Sequence, residues 1–75
     1  MESKGDVLAK LYREDFNLLS DSDLIEKFNY YVFCVIHTAH SFKDEVALDV
    51  LATLLIERKL RTLKEIKDYI KENEK

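Results

Sequence analysis

Two long stretches of the chain are poor in charged residues. Residues 28–42 contain no Lys, Arg, Asp or Glu, and Asp49 is the only charged residue within 46–56. A surface helix is normally apolar along one stripe, whereas a helix that is apolar on most sides is buried on most sides. A chain of 75 residues has few layers in which to bury two such helices. The pattern therefore predicts that part of this apolar surface contacts a partner, either a second copy or a different protein.

Apolar residues at helical spacing, separated by short polar joints, predict four helices within one domain, residues 1–75. Ser20, Ser41 and Thr62 lie in the joints, where their side chains can accept hydrogen bonds from the first turn of a helix. Each is followed three positions later by an acidic residue, which is the spacing of a capping box. The predicted helices cover approximately residues 6–17, 21–39, 42–58 and 62–73.

The turn chemistry favours an all-α fold. The chain has no proline and a single glycine, Gly5, so it lacks the signals that join β-strands in tight turns. Only a short loop separates the second and third predicted helices, and such a pair forms an antiparallel hairpin. We therefore expect a small bundle of three to four helices built around that hairpin.

Cys34 is the only cysteine, so the chain cannot form an internal disulfide, and a single thiol suits a reducing compartment. The first residues include Glu2 and Asp6 without an apolar run, so no signal peptide is expected. The uncharged stretch is shorter than the ~20 apolar residues that span a bilayer. These features predict a cytoplasmic protein that does not enter a membrane. Small domains without disulfides are often stabilised by oligomerisation, which favours a homodimer.

Cys34 and His37 of the second predicted helix and His40 just beyond its end are spaced three residues apart, as metal ligands or a Cys–His pair could be. A structural zinc site needs four ligands, and the chain offers no second cysteine. A catalytic Cys–His pair needs a third orienting group and an oxyanion site, for which the sequence shows no candidate. We therefore predict no metal, no cofactor and no enzymatic activity.

Aromatic residues in the uncharged stretch are candidates for partner contacts. Tyr30 and Tyr31 are adjacent, and two successive residues of a helix cannot both face one core, so at least one should be half exposed. Tyrosine is enriched at protein interfaces because it combines apolar area with a polar tip. A small regulator or inhibitor of a bacterium or phage, binding itself or a larger regulatory protein, is the predicted function. Its predicted contact residues are Tyr30, Tyr31, Phe33, Cys34, His37, Val50 and Leu54.

An alternative function uses the last two predicted helices, residues 42–58 and 62–73. Their short joint is similar to that of a helix-turn-helix, in which the second helix enters the major groove of DNA. Acidic residues on the same helix oppose phosphate, and the net charge of the chain is −3. A DNA-binding regulator therefore remains the alternative, with Arg61, Lys64, Lys67 and Lys71 as the predicted contacts.

Three segments resemble the small helical-hairpin inhibitors of bacterial sporulation kinases: 19–21 (Leu-Ser-Asp), 24–26 (Leu-Ile-Glu) and 55–60 (Leu-Ile-Glu-Arg-Lys-Leu). The shared positions are helix caps and hydrophobic residues that many hairpins have, so they assign no family. The resemblance implies a helical hairpin that acts by docking on a larger protein.

Overall fold

The structure, a computed structural model, describes residues 4–74. These residues form four α-helices and no strand, so the all-α prediction is confirmed. The ends of the helices lie within two residues of the predicted ones. The helices are α1 (Lys4–Phe16), α2 (Asp21–His37), α3 (Phe42–Glu57) and α4 (Leu63–Asn73).

The helices begin where the polar joints predicted. Ser20 Oγ accepts a hydrogen bond from the backbone N–H of Asp23 at 3.2 Å. Thr62 Oγ1 accepts from the N–H of Glu65 at 3.2 Å, and the Glu65 carboxylate accepts in return from the N–H of Thr62 at 3.0 Å. The N–H of Ser41 donates to the carboxylate three residues later at 3.1 Å. Each contact satisfies a backbone group that a helix end leaves without an internal partner.

α2 ends two residues earlier than predicted because Thr38 leaves the helix. The backbone of Thr38 is extended, with φ −126° and ψ 166°. Its N–H and its hydroxyl both donate to the carbonyl of Cys34, at 3.2 and 2.6 Å. That carbonyl is thus satisfied at the helix end, and the chain turns toward α3 at once.

α3 ends in a Schellman motif that has lysine at the position usually held by glycine. The N–H of Leu60 donates to the carbonyl of Leu55 at 2.9 Å, and the N–H of Lys59 donates to that of Ile56 at 3.0 Å. Lys59 has φ 60°, the left-handed region that glycine occupies without a steric penalty. No glycine marked this helix end in the sequence.

α3 is the central helix, because it packs against each of the other three. It is apolar on most sides because its neighbours cover it on most sides. Val50 and Leu54 are only 7% and 1% exposed. They therefore present no surface to a partner, and their assignment as partner contacts is corrected: they belong to the core. The buried residues of α3 are Ala47, Val50, Leu51, Leu54 and Leu55.

The other helices complete the core around α3. α2 runs antiparallel to α3, since Asp21 at its start pairs with Arg58 beyond the end of α3. α1 runs in the same direction as α3: its first residues lie beside Phe42 at the start of α3, and Arg13 pairs with Glu57 at the end. The buried residues outside α3 are Phe16 of α1, Leu24, Phe28 and Val32 of α2, and Ile66 of α4.

Candidate protein-binding site

Four of the predicted contact residues lie together on the outer face of α2. Tyr30 and Phe33 are 60% and 53% exposed, His37 is exposed, and Cys34 is partly exposed. Their positions follow the i, i+3, i+4, i+7 spacing of one helix face. We call this set of four residues the α2 stripe. The absence of charged residues from positions 28–37 of α2 thus has two causes: one face of the helix is buried, and the outer face carries aromatic side chains.

Aromatic contacts along the α2 stripe give it a defined shape. The rings of Phe33 and His37 lie 5.1 Å apart, and those of Tyr30 and Tyr31 meet edge to face at 5.5 Å. A hydrogen bond to the Cys34 side chain is the main cause that raises the pKa of Tyr30 above 10.0. The phenol is neutral at physiological pH, as a tyrosine of ordinary pKa also is, and a neutral phenol suits burial against an apolar surface.

Tyr31 faces inward and joins α2 to α1. Its ring meets that of Phe16 edge to face at 6.2 Å, and Phe16 stacks on Tyr12 at 5.3 Å. Burial is the main cause that raises the pKa of Tyr31, because removal from water disfavours the phenolate. The prediction that at least one of the two adjacent tyrosines is half exposed is confirmed by Tyr30. Tyr31 contributes to packing between helices and is only partly accessible.

Acidic side chains lie at one end of the α2 stripe, and an imidazole lies at the other. Glu26 and Asp23 precede Tyr30 by four and seven residues, so they continue the same face toward the start of α2, and both are exposed. The other end carries the imidazole of His37. His40, in the loop beyond it, lies 3.1 Å from a carboxylate oxygen of Glu45. Lys27, three residues before Tyr30, is exposed beside Glu26, so the outer face of α2 carries two carboxylates and one ammonium group, then the aromatic rings, then an imidazole.

The structure gives Arg61, a predicted nucleic-acid contact, a role in packing. Its guanidinium lies 5.5 Å from the ring centre of Phe28 and 5.2 Å from that of Tyr69. It also donates to the side-chain oxygen of Asn29 at 3.4 Å. This interaction joins α4 to α2 and occupies the group that would otherwise bind phosphate.

The lysines of the alternative site lie on a helix of mixed charge. Lys64, Lys67 and Lys71 are exposed on α4, as predicted from its polar side. Beside them, an open groove along α4 is lined largely by carboxylates. A surface that mixes signs in this way attracts phosphate weakly. The residues that line the groove are Arg61, Glu65, Asp68, Tyr69 and Glu72.

Arg58 has a structural role that the sequence did not reveal. Its guanidinium donates to the carbonyl oxygens of Leu19 and Asn17, each at 2.9 Å, and to the carboxylate of Asp21 at 3.1 Å. The joint between α1 and α2 is thereby fixed to the end of α3. In the sequence, Arg58 is one of several basic residues that follow an apolar run, and no spacing distinguishes it from the others.

A second apolar surface lies between α1 and the start of α3, and it was also missed. Val7, Leu11 and Phe42 are each about half exposed and line one open groove of about 420 Å³. The i, i+4 spacing of Val7 and Leu11 on the outer side of α1 was the available signal. We call this surface the α1–α3 groove; its lining residues are Lys4, Val7, Leu8, Leu11, Phe42 and Lys43.

The structure shows two absences among residues 4–74. No three His, Cys, Asp or Glu side chains in this range are grouped in a way that could hold a metal ion. Within the same residues, no helix combines the length and the apolar character needed to cross a bilayer. Comparisons with protein-family models, with curated proteins and with solved structures find no match to the chain.

Proposed function

We propose that the protein is a non-enzymatic protein–protein interaction module that forms a homodimer through the α2 stripe. The observation that carries the proposal is the exposure of Tyr30 and Phe33, which lie side by side on a helix whose opposite face already supplies the core. Adjacent exposed aromatic side chains are typical anchors of protein interfaces. The single thiol of Cys34 fits the cytoplasmic location that we propose with it.

The order of chemical groups along α2 makes this face complementary to itself. In an antiparallel pair with its two-fold axis between Tyr30 and Phe33, Tyr30 lies opposite Phe33 of the second copy. The same register sets Glu26 opposite His37 of the second copy, so an acidic side chain meets an imidazole at each end. Both copies use the same residues, as a two-fold interface requires. A second copy is therefore the occupant that this surface fits best.

The size of the surface sets the expected strength of the dimer. One helix face per copy buries less area than a standard protein interface, and interfaces of that class are weak or transient. We therefore expect a dimer that dissociates on dilution. Most of its affinity should come from the two aromatic anchors, with the polar contacts between Glu26 and His37 fixing the register.

The test is the molar mass in solution, measured by light scattering over a concentration series. The wild-type chain should approach twice its monomer mass of 8.9 kDa as its concentration rises. Tyr30→Asp and Phe33→Asp should each remain monomeric with unchanged helical circular dichroism. Leu18→Asp, at a residue that is 87% exposed outside the α2 stripe, is the matched control and should dimerise normally.

Two results would contradict the proposal. A wild-type chain that stays monomeric throughout the series would exclude the homodimer and leave a different protein as the partner. Dimers that persist in both aspartate variants would place the self-interface elsewhere. The DNA-binding alternative is not proposed further, because the packing of Arg61 and the carboxylates on α4 offer it no support.

A further inference from the structure

The α1–α3 groove brings together three of the large apolar side chains that the core leaves exposed. Val7 and Leu11 come from α1, and Phe42 comes from the first turn of α3. The lining of the groove is mostly apolar, and Leu8 forms part of it. Parallel helices whose side chains leave an apolar channel between them offer the shape that accepts another amphipathic helix.

The charge at the rim of this groove is opposite to that of the chain as a whole. Lys4 and Lys43 line the groove at the end where α1 and α3 both begin, and both are exposed. The net charge of the chain is −3. Lysine side chains can lay their methylene stems along an apolar surface while the ammonium groups reach acidic residues on a bound segment. The rim therefore selects an occupant that carries negative charge beside an apolar face.

We propose that the α1–α3 groove binds an amphipathic helix of another protein whose apolar face is flanked by Asp or Glu. Leu and similar side chains at i, i+3, i+4 and i+7 of that helix would lie against Val7, Leu11 and Phe42. Its acidic residues would lie near Lys4 and Lys43. The inference is independent of the proposed homodimer, because the α1–α3 groove and the α2 stripe share no residue.

A lipid surface is a poorer occupant than such a helix. Two lysines attract an anionic bilayer weakly, and a bilayer faces much of the protein at once, including its acidic majority. A bound helix contacts only the groove and its rim. Local complementarity therefore favours a protein helix even though the chain as a whole is acidic.

The experiment uses two synthetic helical peptides of about four turns, with the same leucine positions and either Glu or Lys at the flanking positions. Binding of each labelled peptide to the full chain is measured by fluorescence anisotropy. The Glu peptide should bind at least about fivefold more tightly than the Lys peptide, as expected for two partly exposed ion pairs. The overall negative charge of the protein alone would give the opposite order, so this preference would show that the peptide binds at a locally basic surface.

Variants then locate the binding site. The double variant Lys4→Glu/Lys43→Glu should reverse the preference between the two peptides. Both positions lie in the first turns of helices, where glutamate is favourable, so the fold should be retained. Leu11→Asp should remove binding of both peptides. Tyr30→Asp, in the α2 stripe, should leave peptide binding unchanged and so separates this inference from the homodimer.

Three outcomes would overturn the inference. One is a Glu peptide that binds no better than the Lys peptide, and another is a preference that survives reversal of both lysines. The third is a change of occupant. Leu11→Asp converting a dimer to a monomer would assign the groove to a second copy, and Leu11-dependent binding to phosphatidylserine vesicles without binding of either peptide would assign it to a membrane.

Discussion

Replacing Arg58 with alanine tests how the joint between α1 and α2 is held. The guanidinium donates to two backbone carbonyls, those of Asn17 and Leu19, and pairs with the carboxylate of Asp21. The Arg58 side chain is 23% exposed, whereas that of Asp21 is 66% exposed. The hydrogen bonds to the carbonyls should therefore contribute more to stability than the ion pair does.

The expected loss follows from these contacts. A hydrogen bond from a charged donor contributes about 1.5–3 kcal/mol when it is shielded from water. Two such bonds, discounted for partial exposure, give a loss of about 2–3 kcal/mol in the free energy of unfolding. A chain of this length has a total stability of about 4–11 kcal/mol. Arg58→Ala should therefore lower the melting temperature by about 10–20 °C.

Arg13→Ala is the matched control, because Arg13 also reaches the end of α3 but does so by an exposed ion pair with Glu57. Arg13→Ala should lower the free energy of unfolding by less than about 1 kcal/mol. Urea unfolding followed by circular dichroism measures both variants, with Arg58→Lys as a third that keeps the charge but not the planar group. The argument fails if Arg58→Ala destabilises the chain no more than Arg13→Ala does.

Three further predictions concern single positions. Lys59→Gly should raise the free energy of unfolding by about 0.5–1 kcal/mol, because glycine relieves the positive φ of a lysine; Lys59→Val should lower it, and chemical denaturation measures both changes. Because the pKa of Tyr31 is raised in the folded state, its unfolded form loses the proton first, so stability should fall as pH rises past about 10. Tyr31→Phe should weaken that fall in an alkaline series of thermal melts, and an unchanged slope would assign it to other groups. Leu54→Ala should lower the free energy of unfolding by about 2–5 kcal/mol, because it opens a cavity in the core. Phe33→Ala, at an exposed site, should change that free energy by less than about 1 kcal/mol, and chemical denaturation measures both changes.

The helix starts could be predicted because their chemistry is local. Ser20 and Thr62 accept hydrogen bonds from residues three positions later, as their spacing predicted. The end of α3 was predicted to within one residue from the polar joint and not from a capping residue, since Lys59 adopts a conformation that the sequence signals only when glycine occupies the position. Capping residues in the sequence therefore indicate the starts of the helices more clearly than they indicate the end of α3.

The assignment of surface and core depended on tertiary arrangement. Val50 and Tyr30 lie in equally apolar stretches, yet one is buried between helices and the other is exposed. The difference arises because α1 covers one side of α3, whereas no helix among residues 4–74 covers the outer face of α2. Nothing in the spacing of α1 specifies that it runs in the same direction as α3. An apolar run in the sequence therefore does not distinguish a helix buried at the centre of the core from one that is exposed and could form an interface.

The roles of the two arginines were hidden for a related reason. Arg58 contacts the α1–α2 joint and Arg61 contacts α2, across 37–41 and 32 residues of sequence respectively. In the sequence they appear as members of a basic cluster with neighbouring lysines. A planar guanidinium can bridge several carbonyls or lie over aromatic rings, and an ammonium cannot do so in the same way. The roles of Arg58 and Arg61 could be assigned only from the positions of the carbonyl groups and aromatic rings that they contact in the folded chain.

The parallel packing of α1 on α3 has a consequence for the dynamics of the chain. Phe16, in its last turn, is the only buried residue of α1. A helix that contributes a single buried side chain opens at a lower free energy than the core does, so its amide hydrogens should exchange with solvent while α2, α3 and α4 remain folded. Opening would also dismantle the α1–α3 groove. A helix bound in that groove should therefore slow hydrogen exchange throughout α1, and the slowing would report the binding free energy.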